Sequence, residues 1–331
     1  MLYRELGASG IRASAVGLGA WAIGGWMWGG TKEEDALAAI HASLEHGVNL
    51  IDTAPAYGYG RSEEIVGKAI RGRRDKVVLA TKCGLIWDRE EGVFHFHAND
   101  KGITPRPSEK KVYKCLRPDS IRRELEASLR RLGTDCIDLY QTHWQDESTP
   151  IADTLAALQQ LKDQGKIRAI GVSNAKGDHL RAYGRIDTDQ EKYSMLDRGI
   201  EQNGILDHCR QQHIAMLAYS PLANGLLTGR ITPDRRFGEG DLRRMNPRFG
   251  RKNLERIGAM LAQFQPIAER QKATIAQLVI AWTIAQPGIT VALCGARNAQ
   301  QAEENAKAAD IVLSADEMET INKALQATAT S

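Results

Sequence analysis

Short apolar runs of strand character alternate with helical patterns along almost the whole chain. Within 33–45, for example, Leu37, Ile40 and Leu44 recur at spacings of three and four residues, which places them on one face of a helix. A second helical pattern covers 120–131. The apolar runs lie at 16–18, 48–51, 77–81, 137–143, 167–173, 190–193, 214–219 and 291–293.

The regular alternation of strand and helix predicts parallel strands that are joined by right-handed crossovers. Eight strand runs favour a closed barrel over an open, doubly wound sheet, which usually has fewer strands. The glycines of 17–30 also lack the G-x-G-x-x-G spacing of a dinucleotide-binding turn. We therefore predict an α/β fold, a single (β/α)8 TIM barrel, in which residues 1–331 form one domain.

Segments outside these repeated units predict additions to the barrel. Residues 3–14 have the pattern of an N-terminal β-hairpin that turns at 7–10 and lies under the barrel floor, and 314–326 predict an extra C-terminal helix. The segments 84–118 and 223–253 are too long for ordinary connections. Because they follow the third and seventh strands, both belong to the carboxyl-terminal face, where barrels of this type build their active sites.

The charge and cysteine content exclude several classes of function. A net charge of +3 is too small for general binding to nucleic acid or membrane. The five cysteines are scattered without a C-x-x-C pair, which predicts reduced thiols and no metal site. The uncharged stretch 13–31 contains six glycines, which is typical of turns and not of a membrane span. With no signal-peptide pattern, we predict a cytoplasmic protein without nucleic-acid, membrane or metal partners.

Polar residues that suit one reaction end three successive strands. Asp52, Lys82 and His143 stand at the ends of the second, third and fourth predicted strands, and Tyr57 follows Asp52 on a loop that contains Pro55. Each has an ordinary explanation when it is taken alone: a helix cap, a surface charge, a structural histidine and an amphipathic aromatic. Four such residues at one face of a barrel are more typical of a catalytic site.

The four side chains suit the reduction of a carbonyl group. Hydride delivery leaves an alkoxide that needs a proton, and an unperturbed tyrosine, with a pKa of about 10, is a weak donor at neutral pH. We expect the Lys82 ammonium to lower the pKa of Tyr57. Asp52 would keep Lys82 charged, and His143 would orient the carbonyl by a hydrogen bond.

Several longer motifs carry a resemblance to a known family. VGLGAW at 16–21, DTAPAYG at 52–58, LYQTHW at 139–144 and IRAIGVSN at 167–174 closely resemble the aldo-keto reductases. The resemblance implies that Tyr57, Lys82, Asp52 and His143 form a catalytic tetrad. It also implies that NADPH or NADP+ binds at strand ends.

The resemblance assigns particular roles within the cofactor site. Ser173, Asn174 and Gln190 match positions that hold the nicotinamide carboxamide, and Tyr219 matches the aromatic residue that stacks on the ring; a plain strand end is the alternative for Tyr219. The implied cofactor-binding residues are Gly19, Ala20, Trp21, Asp52, Ser173, Asn174, Gln190, Tyr219, Ser220, Pro221, Leu222, Gly225, Gly295, Arg297, Gln301, Glu304 and Asn305.

The segment after the eighth strand bears on the choice of cofactor. Arg297 precedes a helix whose N-terminal amides are expected to be free to bind phosphate, and its guanidinium is a bidentate donor for the 2′-phosphate that distinguishes NADPH from NADH. In helical register Gln301, Glu304 and Asn305 share one face, where they suit the adenosine end. The arginine-rich stretch 230–256 favours closure over the cofactor; a nucleic-acid patch would have interleaved aromatics, and a solvated loop is the other alternative.

Large aromatic residues surround the predicted substrate site. We expect Trp21, Trp28, Trp87 and Trp144 to line the pocket mouth around Tyr57 and His143. The WMWGG segment at 26–30 and the short connection at 145–149 resemble a bacterial general-stress and glyceraldehyde-reducing subgroup. The resemblance therefore implies small aldehydes or ketones, with glyceraldehyde-like or dicarbonyl substrates favoured. The alternative is a nucleotide-binding regulatory protein like the β-subunit of voltage-gated potassium channels, although the sequence shows no tetramerisation segment.

Overall fold

The computed structural model describes residues 1–105, 107 and 110–329. In this part of the chain, eight parallel strands pair side by side and close into a ring, which confirms the predicted barrel. The predicted run 167–173 is reproduced residue for residue, and the other boundaries differ by a few residues. The barrel strands are β3 (Val16–Gly19), β4 (Leu50–Asp52), β5 (Val78–Cys83), β10 (Ile137–Thr142), β11 (Ile167–Ser173), β12 (Thr188–Lys192), β13 (Ala215–Tyr219) and β14 (Ile289–Gly295).

Helices cover the outside of the barrel, and local signals mark their ends. Acidic residues occupy the first turn of the helix that begins at Glu33, where they complement the helix dipole. Pro118 opens another helix, and Gly133, in a left-handed conformation, ends it. The helices are α1 (Glu33–Glu45), α2 (Arg61–Ile70), α3 (Pro118–Leu132), α4 (Ile151–Asp163), α5 (Gly177–Tyr183), α6 (Gly199–Gln202), α7 (Ile205–Gln211), α8 (Arg251–Ala262), α9 (Gln265–Arg270), α10 (Ile275–Ala285), α11 (Ala299–Lys307) and α12 (Ala315–Ala329).

The predicted C-terminal helix is α12, which packs against α8. Among the described residues, every helix is too short or too polar to cross a lipid bilayer.

The barrel interior is a packed core, because alternate residues of each strand point inward. Leu50, Val78, Leu139, Leu217 and Val291 are all buried in this inner cluster. A larger apolar layer lies between the strands and the surrounding helices.

An N-terminal β-hairpin closes the other end of the barrel, as predicted. Its strands β1 (Tyr3–Glu5) and β2 (Arg12–Ser14) pair antiparallel, and the amide of Leu6 donates to the carbonyl of Ile11 at 2.9 Å. Leu6 and Ile11 are buried in the inner cluster. The hairpin therefore contributes directly to the core and seals its floor.

The two long segments differ in structure. The described residues after Gly84 form a four-stranded antiparallel sheet, which the sequence did not predict. The segment from Ala223 instead contains 3-10 turns, and α8 begins at Arg251, before the predicted end of the loop at 253. The strands of the inserted sheet are β6 (Leu85–Ile86), β7 (Val93–Asn99), β8 (Gly102–Thr104) and β9 (Lys110–Lys114).

The hairpin turn offers a matched pair of substitutions for testing the floor. Gly7 and Gly10 both have positive φ angles, +58° and +70°, so alanine is strained by about 1 kcal/mol at either site. At Gly7 a Cβ would also lie 2.2 Å from the carbonyl oxygen of Asp187, whereas at Gly10 nothing lies within 4 Å. We expect Gly7→Ala to lower the free energy of unfolding by about 1–3 kcal/mol more than Gly10→Ala, as measured by urea denaturation. Equal losses of unfolding free energy in the two variants would show that Gly7 is not in close contact with the Asp187 carbonyl.

Candidate active site

The predicted tetrad assembles at the carboxyl-terminal face of the barrel. Asp52 is the last residue of β4, Lys82 lies near the end of β5, and His143 directly follows β10. Tyr57 lies in the turn after β4. Because β4, β5 and β10 are adjacent and parallel, their ends meet at one place.

The side-chain ammonium of Lys82 is the centre of this group. Its Nζ atom lies 2.6 Å from Oδ2 of Asp52, 3.2 Å from the hydroxyl of Tyr57 and 3.0 Å from the carbonyl oxygen of Thr53. These three acceptors match the three N–H bonds of a lysine ammonium. The Lys82 side chain is completely buried, so the hydrogen bonds replace the water that it loses.

Burial and charge set the protonation states of Lys82 and Tyr57. Burial by itself would lower the pKa of Lys82, but the Asp52 carboxylate and the Tyr57 hydroxyl outweigh it and raise that pKa above its usual value. Burial raises the pKa of Tyr57, and the ammonium of Lys82 offsets only part of the rise. The expected net lowering of the Tyr57 pKa is therefore wrong, although Lys82 itself acts in the expected direction. The pair is a charged lysine beside a protonated tyrosine.

His143 faces Tyr57 as a neutral imidazole. The two rings meet edge to face, with 5.6 Å between their centroids. Burial, with a smaller effect from Lys82, brings the pKa of His143 well below its usual value. A neutral imidazole has one N–H donor, so His143 suits hydrogen bonding to an oxygen beside the Tyr57 hydroxyl.

Gln141 is a site residue that the sequence analysis missed. Its Nε2 atom donates to Oδ1 of Asp52 at 3.1 Å, and Nε2 of Gln190 donates to the same oxygen at 2.8 Å. Both glutamines are buried. The sequence held one signal for it. Side chains of a strand alternate between its two faces, so Gln141, two residues before His143, is expected to point to the same side.

The residues assigned to the nicotinamide form one hydrogen-bonded wall. Asn174 has a left-handed conformation, with φ of 54°, and its side-chain amide donates to the carbonyl of His143 and to Oγ of Ser173, each at 3.0 Å. Its Oδ1 atom accepts from the hydroxyl of Tyr219 at 2.8 Å. The Ser173 hydroxyl in turn donates to the carbonyl of Gln190 at 2.9 Å. The wall is thus linked to the tetrad through Gln190 and His143.

A cavity of about 640 Å³ extends from the tetrad across the barrel face to α11, a volume within the usual range for small-molecule sites. Three of the predicted site residues do not line it. Ala20 and Lys82 are buried behind its wall, and Trp87 packs edge-on against Tyr59, with 5.2 Å between ring centroids. The predicted residues that do line it are Gly19, Trp21, Trp28, Asp52, Tyr57, His143, Trp144, Ser173, Asn174, Gln190, Tyr219, Ser220, Pro221, Leu222, Gly225, Gly295, Arg297, Gln301, Glu304 and Asn305.

The far end of the cavity lies at the start of α11. The side chain of Asn298 accepts from the amide of Gln301 at 2.9 Å, so one of the amides expected to be free for phosphate is already capped. Oε1 of Glu304 accepts from Arg230 at 2.8 Å and from the hydroxyl of Thr274 at 2.7 Å. That carboxylate therefore holds the 223–253 segment against α11.

The arginine-rich segment forms a strap across the cavity, and Arg243 is a lining residue that the sequence analysis did not single out. The strap consists of 238–243 and is bridged to the 25–30 loop by strand-like pairing of Trp28 with Asp241. The guanidinium of Arg243 lies 5.1 Å from the Trp28 ring centroid and is also paired with Asp241 at 2.6 Å.

Arg297 lies in an electropositive corner beneath this strap. Its Nη1 atom donates to the carbonyl of Trp28 at 3.4 Å. Burial lowers the pKa of Arg297, and the positive charges of Arg243 and Arg235 lower it further, against an opposite effect of Asp241. A bound anion would relieve this crowding of like charges.

The inserted sheet supplies a further part of the wall that the sequence did not predict. His95, Phe96 and Ile103 line the cavity near the tetrad. The only sequence signal for them was the unusual length of the segment.

Comparisons with known proteins identify the family. A sequence model described as the Aldo/keto reductase family matches residues 15–326. An NADH-specific methylglyoxal reductase from Escherichia coli (strain K12) is 44% identical over 320 residues, which cover 93% of this chain and 94% of the relative. The aldo-keto reductase YhdN from Bacillus subtilis (strain 168) is 40% identical over 334 residues, with coverage of 99% and 95%.

Solved structures extend the similarity to the whole fold. The glycerol dehydrogenase AKR11B4 from Gluconobacter oxydans superposes with a TM-score of 0.86 at 36% identity, covering 99% of this chain and 96% of that one. An aldo/keto reductase from Klebsiella pneumoniae, solved with NADP and acetate, has a TM-score of 0.70 at 30% identity and coverage of 96% and 94%.

The hydrogen bond from Gln141 to Asp52 generates a stability prediction. Gln141→Leu leaves the buried Asp52 carboxylate with one donor fewer, and a hydrogen bond to a charged group contributes about 1.5–3 kcal/mol. We expect a loss of that size in the free energy of unfolding, measured by urea denaturation. Gln159→Leu makes the same chemical change on the exposed surface of α4 and should cost less than about 0.5 kcal/mol. Comparable losses for the two variants would contradict a role for Gln141 in holding Asp52.

Proposed function

This chain belongs to the aldo/keto reductase family, and from that premise we propose that it reduces small aldehydes or ketones to alcohols with NADPH, with Tyr57 as the proton donor. The observation that carries the proposal is the buried ammonium of Lys82, which lies within hydrogen-bond distance of both Asp52 and the Tyr57 hydroxyl. In this arrangement the charges of Lys82 and Asp52 set how readily the Tyr57 hydroxyl, which lines the cavity, gives up its proton.

The residues around the cavity fit a nicotinamide dinucleotide. At one end Asn174 and Gln190 offer amide groups and Tyr219 offers an aromatic face, as a planar ring with a carboxamide requires. At the other end Arg297 and Arg243 supply positive charge for phosphate groups. When it is bound in its reduced form, the nicotinamide supplies a hydride to the carbonyl carbon.

The chain's own residues supply the proton. Because burial raises the pKa of Tyr57, its phenol keeps the proton at neutral pH until the carbonyl oxygen takes on negative charge. The proton then passes from the Tyr57 oxygen to the substrate oxygen, and Lys82, at 3.2 Å, stabilises the phenolate that remains. His143 donates a hydrogen bond to the same substrate oxygen and holds it in reach of Tyr57.

We propose glyceraldehyde-like or dicarbonyl compounds as the substrates. The cavity mouth near the tetrad is walled by Trp21, Trp28 and Trp144, which limits the space beside the reacting carbonyl. Two relatives are named for three-carbon oxygenated compounds, methylglyoxal and glycerol. Both names support a small, oxygen-rich substrate.

The preference for NADPH rests on the electropositive corner at Arg297. The E. coli relative is named as NADH-specific, whereas the K. pneumoniae structures hold NADP or NADPH, so membership of the family does not decide between the two cofactors. Arg243 and Arg297 line one end of the cavity, and the charges of Arg243 and Arg235 act on Arg297, partly offset by Asp241. A 2′-phosphate would neutralise part of that charge, which a ribose hydroxyl does not.

We also propose that residues 1–331 act as one domain in the cytoplasm. The hairpin packs into the inner cluster of the barrel, and the described part of the insertion packs against Trp26 and Ala56. All five cysteines lie in the described part of the chain and are free thiols there, which supports a reducing compartment.

Tyr57→Phe tests the assignment of the proton donor. We expect kcat for aldehyde reduction to fall by about 10²–10⁴-fold, because general acid catalysis contributes about that much, while the dissociation constant for NADPH changes by less than about threefold. Tyr59→Phe is the matched control, because Tyr59 lies two residues further on and its hydroxyl has no partner among the described residues. Near-normal turnover in Tyr57→Phe would disprove the assignment.

Arg297→Ala tests the choice of cofactor. A charged hydrogen bond contributes about 1.5–3 kcal/mol, so we expect NADPH to bind roughly ten- to a hundredfold more weakly and NADH to be almost unaffected. Both dissociation constants should be titrated by tryptophan fluorescence quenching at one fixed salt concentration. Equal weakening of both cofactors would mean that Arg297 contacts a part that they share, and the proposed basis for NADPH preference would fail.

A further inference from the structure

A β-bulge interrupts the inserted sheet beside the active site. In the pairing of β7 with β9, Phe94 is opposite Tyr113 and Phe96 is opposite Val112, so His95 is an extra residue without a partner. Bulges of this kind re-aim side chains and are common next to active sites. As a result, His95 and Phe96 both line the cavity, although adjacent residues of a regular strand point to opposite faces.

The imidazole that this bulge presents is polar but unpaired. His95 is half-buried, and its ring contacts are aromatic: Phe96 at 4.9 Å and Trp144 at 5.4 Å between centroids. Throughout the described residues, neither ring nitrogen of His95 has a hydrogen-bond partner. Because His95 lines the cavity, its ring nitrogens are open to a hydrogen bond from a ligand that enters there.

His95 is also close to the reacting groups. Trp144, which it contacts, is the chain neighbour of His143, and a positive charge on His95 would lower the pKa of His143. Burial and the nearby Lys114 lower the pKa of His95 itself, against a smaller opposite effect of Glu147. The neutral ring carries one donor and one acceptor, so it can bind a hydroxyl or a carbonyl oxygen.

We propose that His95 is a specificity-determining residue that hydrogen-bonds an oxygen substituent on the substrate chain, a hydroxyl or a second carbonyl beyond the one that is reduced. The inference rests on the proposed carbonyl reduction and names the substrate class for that site. The other side chains that line this part of the wall, Phe96, Trp144 and Ile103, give a plain alkyl aldehyde no disadvantage. His95 therefore distinguishes oxygenated aldehydes from alkyl ones, because a site built to hydrogen-bond an oxygen discriminates against analogues that lack it.

The experiment compares three-carbon substrates with and without the extra oxygen. The values of kcat/KM for glyceraldehyde, methylglyoxal and propanal should be measured with saturating NADPH, or with NADH if the enzyme prefers it. Four proteins are needed: wild type, His95→Phe, His95→Gln and His97→Phe. His97 is the matched control, because it lies on the same strand, β7, but does not line the cavity. Thermal midpoints confirm that each variant is folded.

In wild type we expect both oxygenated substrates to be preferred over propanal. His95→Phe should lower their kcat/KM by about tenfold or more, as the loss of a hydrogen bond predicts, while propanal changes by less than about twofold. His95→Gln, which keeps a donor and an acceptor, should retain most of the preference, and His97→Phe should retain all of it.

Other outcomes separate the two claims. Suppose that wild type reduces the aldehydes, but His95→Phe lowers kcat/KM equally for all three substrates or leaves the preference unchanged. The specificity role of His95 is then overturned, and the proposed function stands. If His95→Phe does not fold, the test rests on His95→Gln: because glutamine keeps a donor and an acceptor, complete loss of the preference in that folded variant also overturns the specificity role. If wild type reduces none of them with either cofactor, the proposed function itself fails, and this inference fails with it.

Discussion

The fully buried ammonium of Lys82 is the constraint on which the rest of the site depends. A charged lysine that is buried away from water is stable only when an anion and further hydrogen-bond acceptors surround it. Removing one partner of such a buried ion pair costs about 3–5 kcal/mol. The Asp52 carboxylate at 2.6 Å supplies the anion. That carboxylate in turn accepts hydrogen bonds from Gln141 and Gln190. Three strands besides β5, namely β4, β10 and β12, therefore contribute side chains that fix the position of the Lys82 ammonium.

This compensation keeps Tyr57 protonated, as its proposed role of proton donor requires. If Lys82 acted without Asp52, its field would favour loss of the tyrosine proton; the nearby carboxylate raises the pKa of Tyr57 together with burial. The tyrosine keeps its proton, yet the ammonium remains at 3.2 Å to stabilise the phenolate once the proton has left. In the proposed reaction the tyrosine is therefore protonated at rest and gives up its proton only when the substrate oxygen, as it gains negative charge, becomes the stronger base.

The sequence predicted most of the barrel and the tetrad, for physical reasons that also mark where prediction stopped. Strand and helix periods depend on local spacing, and strand-end residues such as Asp52 share a face in any parallel barrel, so both were visible in the chain. The orientation of Trp87 depends instead on an antiparallel sheet whose pairing is between distant residues, and the prediction that it lines the pocket was wrong. The net pKa shift of Tyr57 depends on burial by the assembled walls, which no local pattern encodes.

One side chain, Trp28, contacts residues at both ends of the cavity. Trp28 lies edge-on to Trp21 at 5.5 Å, and Trp21 stacks on Tyr57 at 6.1 Å. The other side of Trp28 meets the guanidinium of Arg243, and its carbonyl accepts from Arg297. A cation above an indole contributes about 0.5–2 kcal/mol, so Arg243 helps to hold Trp28 in place. Because Trp28 lines the cavity and contacts both Trp21 and Arg243, the proposed substrate mouth and the proposed phosphate end of the cofactor site belong to one packed unit.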